Sequence, residues 1–136
     1  MNTKVRKQVV GILLAVVACF ALAGCAASTL ESFYGRPANK QQIDKMMDDM
    51  LSIYSAYYSD VDYEIHGNDI IYKYYYSASV SQTGVDALKK GLEVQDFSSM
   101  AKSTKDDIEK EAGIRPTSVT FAYYTDKGTE IYSFTE

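Results

Sequence analysis

Between Val61 and Tyr76 the chain alternates with a period of two, and only Gly67-Asn68 interrupts the alternation. Val61, Tyr63 and Ile65 before the break and Ile70, Tyr72, Tyr74 and Tyr76 after it share one face of an extended ribbon, while Asp62, Glu64, His66, Ile71, Lys73 and Tyr75 share the other. Gly-Asn forms a tight two-residue loop whose twist suits two antiparallel strands. The predicted hairpin pairs Ile65 with Ile70, Tyr63 with Tyr72 and Val61 with Tyr74, and sets Asp62 across from Lys73. A slip of one residue would turn every aromatic of this set to the opposite face, so the register is strongly specified.

A second hairpin is predicted at the C-terminus. Val119, Phe121 and Tyr123 alternate with Thr120, Ala122 and Tyr124, and Asp126-Lys127-Gly128 turns the chain into Glu130 to Phe134. A two-residue Lys127-Gly128 loop pairs Tyr123 with Tyr132 and Phe121 with Phe134. A three-residue loop with Gly128 in a bulge would instead bring Ile131 round. At an offset of sixty residues Tyr63 matches Tyr123, Ile71 matches Ile131, Tyr72 matches Tyr132 and Tyr74 matches Phe134, which leaves a duplication open because any two amphipathic hairpins share this period.

Helical spacing separates the hairpins. Asn39, with Gln42 three residues on, is positioned to cap a helix over residues 40–58, whose apolar stripe is Ile43, Met46, Met47, Met50, Leu51, Tyr54 and Tyr57. Residues 77–84 read as a loop. From Val85 the stripe Val85, Leu88, Leu92, Val94, Phe97, Ala101, Ile108, Ala112 is discontinuous, which predicts a bent helix or two helices, with Thr104 as a second cap. Gly113 and Pro116 end it. The order helix, hairpin, helix, hairpin predicts an α+β fold, a four-stranded antiparallel sheet with helices on one face; a cystatin-like or NTF2-like curved sheet is the alternative.

The N-terminus carries a different message. Lys4, Arg6 and Lys7 precede the apolar run VVGILLAVVACFALA, which ends in Gly24-Cys25. A basic start, a short apolar core and small residues at its end make a secretory signal. Read without cleavage, Val9 to Ala27 comes near the lower limit for a spanning helix, so an uncleaved signal-anchor is the alternative. Leu22-Ala23-Gly24-Cys25 resembles the lipobox of bacterial lipoprotein precursors. The resemblance implies that residues 1–24 are removed, that Cys25 carries the acyl chains, and that the protein faces the extracytoplasmic side of a cell membrane. Two acyl chains hold a protein stably where one does not. Residues 25–39 then read as a lipidated tether and residues 40–136 as a single domain. Cys19 lies in the signal and Cys25 takes the lipid, so the fold is expected to have neither disulfide nor cysteine metal ligand.

Charge narrows the partners. Of 14 basic and 18 acidic residues, three basic ones fall in the first seven positions, leaving 11 minus 18, or minus 7, beyond the signal. That balance argues against nucleic acid as a partner. Catalytic chemistry is poorly served: His66 is the single histidine, sits beside the hairpin turn opposite Asp69, and has no marked nucleophile. Asp60, Asp62 and Glu64 line one strand face without a calcium-loop pattern, and zinc lacks ligands, so no cofactor or metal is expected. All twelve tyrosines lie beyond the signal, and if the alternating set faces the helices, Tyr58, Tyr75 and Tyr124 remain near solvent as a candidate ligand or partner surface.

The hairpin segment IIYKYYY after Gly67-Asn68, together with the C-terminal FAYYTDKGTEIYSF, resembles small uncharacterised lipoproteins of Firmicutes that carry a domain of unknown function. That resemblance implies a Gram-positive cell surface and assigns no catalytic residue. The expected function is a membrane-anchored, non-enzymatic binding or protein-interaction module recognising an envelope protein, peptide or glycan. A small envelope hydrolase, marked by an acidic pocket with a shifted carboxylate, and a structural component of an envelope complex are the alternatives.

Overall fold

The computed structural model describes residues 27–136; the signal and Cys25 lie outside them. The elements follow in the order α1 (Leu30–Tyr34), α2 (Pro37–Ile53), β1 (Tyr58–His66), β2 (Asp69–Tyr76), α3 (Ala78–Ser81), α4 (Val85–Glu93), α5 (Phe97–Ala112), β3 (Ser118–Tyr124) and β4 (Glu130–Thr135). One four-stranded sheet runs in the order β1-β2-β3-β4. Among the described residues no helix is long and apolar enough to cross a membrane.

The first hairpin adopts the register that its alternation dictates: Val61 opposes Tyr74, Tyr63 opposes Tyr72 and Ile65 opposes Ile70, with Gly67 at a positive φ of 58° in the turn. In the second hairpin Tyr123 opposes Tyr132 and Phe121 opposes Phe134, as a Lys127-Gly128 loop requires. The turn itself is wider, because Thr125 N–H donates to the Thr129 carbonyl and the register shifts before Glu130. That irregularity turns Ile131 into the core at 5% exposure, so the aromatic pairing and the buried isoleucine occur together.

The sheet is mixed rather than wholly antiparallel, because β2 and β3 run parallel, Asp69 beside Ser118 and Tyr75 beside Tyr124. The reason lies in the connection. Residues 77–117 are long enough for a crossover, and the sixteen residues of α5 span about 24 Å, close to the length of β2, so the chain returns to the end of the sheet where β2 began. The returning chain is fastened there by Thr117 N–H donating to the Asn68 carbonyl, 2.8 Å.

Three local expectations also change. The helix predicted over residues 40–58 spans Pro37–Ile53, because Pro37 occupies its first turn, where a missing N–H costs nothing. Asn39 is therefore not its cap; it is buried, and its Nδ2 donates to the Phe33 carbonyl, joining α1 to α2. The loop after β2 contains the short helix α3, capped by Ser77. The discontinuous stripe resolves into α4 and α5, the second capped by Asp96, whose Oδ1 accepts from Ser99 N–H. Thr104 instead lies buried inside α5 with its hydroxyl donating to the Met100 carbonyl.

The expected tether is the largest departure. Leu30, Phe33 and Tyr34 are core residues, at 0%, 7% and 6% exposure, so the fold begins about ten residues before residue 40. Thr29 caps α1 through its side chain, with Ser32 returning the bond. Glu31 N–H donates to the Gly67 carbonyl (2.9 Å), Leu30 N–H to Asn68 Oδ1 (3.0 Å), and Gly67 N–H to Glu31 Oε2 (2.8 Å). This latch closes α1 onto the β1–β2 turn.

Candidate functional site

Helices cover one face of the sheet. Phe97 of α5 packs against Phe121, Tyr123, Tyr132 and Phe134, and Tyr63 donates its hydroxyl to Asp44 of α2 at 2.7 Å, so all these rings look toward the helix layer. The opposite face carries Glu64, Lys73, Tyr75, Thr120 and Tyr124.

The three tyrosines expected near solvent separate. Tyr58 is buried at 4% and stacks on Tyr76 at 5.4 Å, because a register shift between Tyr58 and Asp60 returns it to the apolar side. Tyr75 and Tyr124 do come together on the open face, half-buried, with ring centroids 4.9 Å apart and planes at 19°. Each ring spends one flat side on the other, which removes much of the stacking surface a sugar would use. The ionic pattern of that face also differs from expectation: Lys73 pairs with Glu64 rather than Asp62, and His66 lies 3.3 Å from Glu64 rather than pairing with Asp69. Asp69 accepts from Ser118 Oγ instead, 2.7 Å. Lys73, ahead of His66, holds the Glu64 carboxyl below its ordinary range. Among the described residues no group of His, Asp and Glu is arranged to hold a metal.

A concave surface lies at the end of the sheet remote from the latch. The α2–β1 turn, the end of β2, α3 and α4 enclose a groove of about 280 Å³ lined by Tyr57, Tyr76, Val80, Ala87, Leu88, Gly91, Leu92 and Gln95. On α4 the lining residues recur at one- and four-residue steps and so form one helical face. Leu92 is its one fully buried member, whereas Val94 nearby is 82% exposed and Tyr57 43%. Burial pushes the Tyr76 phenol up to about 12, so the groove floor stays uncharged. Beside it, α3 and the β3–β4 turn form a polar cleft of about 310 Å³ lined by Ala78, Ser81, Gln82, Thr125, Asp126, Lys127 and Thr129. Ser81 Oγ accepts from Asp126 N–H at 3.1 Å and ties the two walls together. The apolar stripe of α4 was visible in the sequence; that it faces a gap in the helix layer was not.

One shifted carboxylate stands apart from both. Glu111 follows Ile108 by three residues and precedes Ala112, so it lies along the inward stripe of α5. Burial, opposed by a hydrogen bond from the Tyr34 hydroxyl (3.3 Å) and aided by Asp107, pushes its carboxyl up to about 7. Tyr34, buried and facing Glu111, is held far above the ordinary phenol range. The folded chain binds the Glu111 proton more tightly than the unfolded chain, so this group's stabilisation is complete below about pH 4.5 and is lost as pH rises through about 7. Discounted for partial exposure, the loss is about 1–2 kcal/mol. Glu111→Gln is expected to raise stability by that amount at pH 8, to change little at pH 4.5, and to flatten the pH dependence between them. Urea unfolding midpoints across this range are the measurement; an unchanged slope would contradict the assignment.

A domain of unknown function, DUF4854, matches residues 30–135. The chain belongs to the DUF4854 family. The match begins at Leu30, the first residue of α1, and ends within the last residues of β4, so the DUF4854 unit and the folded core coincide. No curated protein and no solved structure matches the chain.

Proposed function

We propose that this DUF4854 protein is an extracytoplasmic lipoprotein, held to a cell membrane by acyl chains on Cys25, whose folded domain is a non-enzymatic module that binds a protein or peptide partner. The observation that carries the binding reading is the open apolar groove of Tyr57, Tyr76, Val80 and Leu88 beside the polar cleft. Small-molecule pockets run from about 300 to 1,000 Å³, so a groove of about 280 Å³ suits one or two apolar side chains better than a whole ligand. The hydroxyl-lined cleft is placed to take the polar main chain attached to them.

The anchor supports the same reading. Cys25 precedes Leu30 by five residues, which reach at most about 18 Å, and the latch holds Leu30 at the β1–β2 turn. Tyr76 lies at the other end of β2, about 26 Å away. A lipid on Cys25 therefore sets the turn toward the bilayer and presents the groove away from it. Glu111 is the feature that favours the alternative of a small envelope hydrolase, yet its recorded hydrogen bond comes from Tyr34 rather than from a nucleophile. A structural part in an envelope complex would use the same groove.

Two measurements test the proposal. Palmitate labelling in a bacterial host is expected to mark the full chain and to vanish in Cys25→Ala, with loss from the membrane fraction; equal label in both overturns the anchor. A thermal-shift panel of short aromatic and aliphatic peptides and wall-glycan fragments is expected to show saturable stabilisation by peptides, about 2.7 kcal/mol at a hundredfold excess over Kd. Leu88→Asp should abolish it. A panel that leaves the wild-type melt unmoved overturns the groove.

A further inference from the structure

The two edges of the sheet are not equivalent. At β1, the Gly67-Asn68 turn makes His66 and Asp69 a hydrogen-bonded pair, so the intervening Val61 and Tyr63 point their N–H groups away from β2. Each outward N–H is taken by the preceding side chain: Asp60 Oδ1 accepts from Val61 at 2.9 Å and Asp62 Oδ1 from Tyr63 at 2.8 Å. The register shift at Ser59 and the row Asp60, Asp62, Glu64 add a kink and negative charge. Such devices stop another strand from joining an edge.

At β4 the one such device is the register shift at Ile131, and the stretch from Tyr132 to Thr135 beyond it carries none. Val119 and Glu136 exchange both backbone bonds, at 2.8 and 3.1 Å, which makes Phe121–Phe134 and Tyr123–Tyr132 the next bonded pairs. Ser133 and Thr135 therefore turn their N–H and C=O outward, both residues are exposed, and among the described residues these outward groups have no partner. No charged residue lies between Glu130 and Glu136.

We infer that β4 is a pairing edge whose occupant is the β4 of a second copy of this chain, in antiparallel register about Ser133. In that register Ser133 faces Ser133 of the second copy, and Tyr132 and Phe134 face each other twice on the side covered by Phe97. Two aromatic cross-strand pairs add to the backbone bonds. Because the β1 edge is blocked, addition stops at two copies and gives a closed, eight-stranded pair rather than a fibre. Two six-residue strands bury less than the roughly 1,200 Å² of a stable dimer, so the pairing is weak in dilute solution and gains from confinement on one surface.

This inference is independent of the groove but rests on the proposed anchor for confinement, and cysteine crosslinking of the full chain in host membranes, with membrane fractionation of each variant to check the anchor separately, tests it. In the proposed register the two Ser133 Cα atoms lie about 5.5 Å apart, within disulfide range. Ser133→Cys is expected to give a covalent dimer on mild oxidation well above the background of the parent chain, whose own cysteines are Cys19 and Cys25. Asp62→Cys on the blocked edge should stay at background. Adding Thr135→Pro to Ser133→Cys removes one outward N–H without touching a bond to β3, and should abolish the crosslink while circular dichroism stays unchanged. Crosslinking of Ser133→Cys no greater than that of Asp62→Cys, or unaffected by Thr135→Pro, overturns the inference.

Discussion

Replacing Phe97 by alanine is expected to lower stability by about 3–5 kcal/mol, a large part of the roughly 5–15 kcal/mol available to a domain of this size. Phe97 is 2% exposed and is the first residue of α5, where it meets four rings from both strands of the second hairpin at 5.7–5.9 Å. Removing it leaves a cavity that Phe121 and Tyr123 are too constrained by their own stacking on Tyr72 and Tyr74 to fill. The measurement is the urea midpoint of Phe97→Ala against wild type, with the m-value unchanged. A loss below about 1 kcal/mol would mean that the ring cluster is loose.

The second large effect belongs to a residue far from any predicted core. Leu30→Ala is expected to cost about 2–5 kcal/mol, because Leu30 is fully buried and the site it leaves is framed by the latch. A tether residue would cost nothing. Ser28→Ala, one position before the Thr29 cap and exposed, supplies the comparison and should change the midpoint by less than 0.5 kcal/mol. Equal midpoints for the two variants would return residues 30–34 to the tether.

The difference between these two residues shows what was legible in the chain and what was not. The first hairpin could be read residue by residue because its period of two, its turn and its charge placement all select one register. Phe97 could be read as apolar but not as the hub of a ring cluster, since that depends on which strands lie beneath α5. The parallel contact of β2 with β3 was hidden for the same reason: local alternation describes each strand and is silent on how a 41-residue connection returns. Leu30, Phe33 and Tyr34 were obscured by Gly35 and Pro37, which read as linker punctuation but end one helix and begin the next. Tyr58 was misplaced because a bulge has no signature in an alternating pattern. The groove depends on where α4 stops covering the sheet, and no spacing rule contains that.

The latch has a mechanical consequence. A pull applied through the N-terminal segment arrives first at α1 and is passed by three hydrogen bonds to Gly67 and Asn68. Asn68 is in turn bonded to Thr117, at the head of β3, so the load enters the sheet at the closed end of one hairpin and beside an inner strand. Tension along that line is shared between β2 and β3, both inner strands, rather than falling on the edge strand β1 alone. The latch thus ties the N-terminal segment to the middle of the sheet, where the proposed lipid attachment would load it.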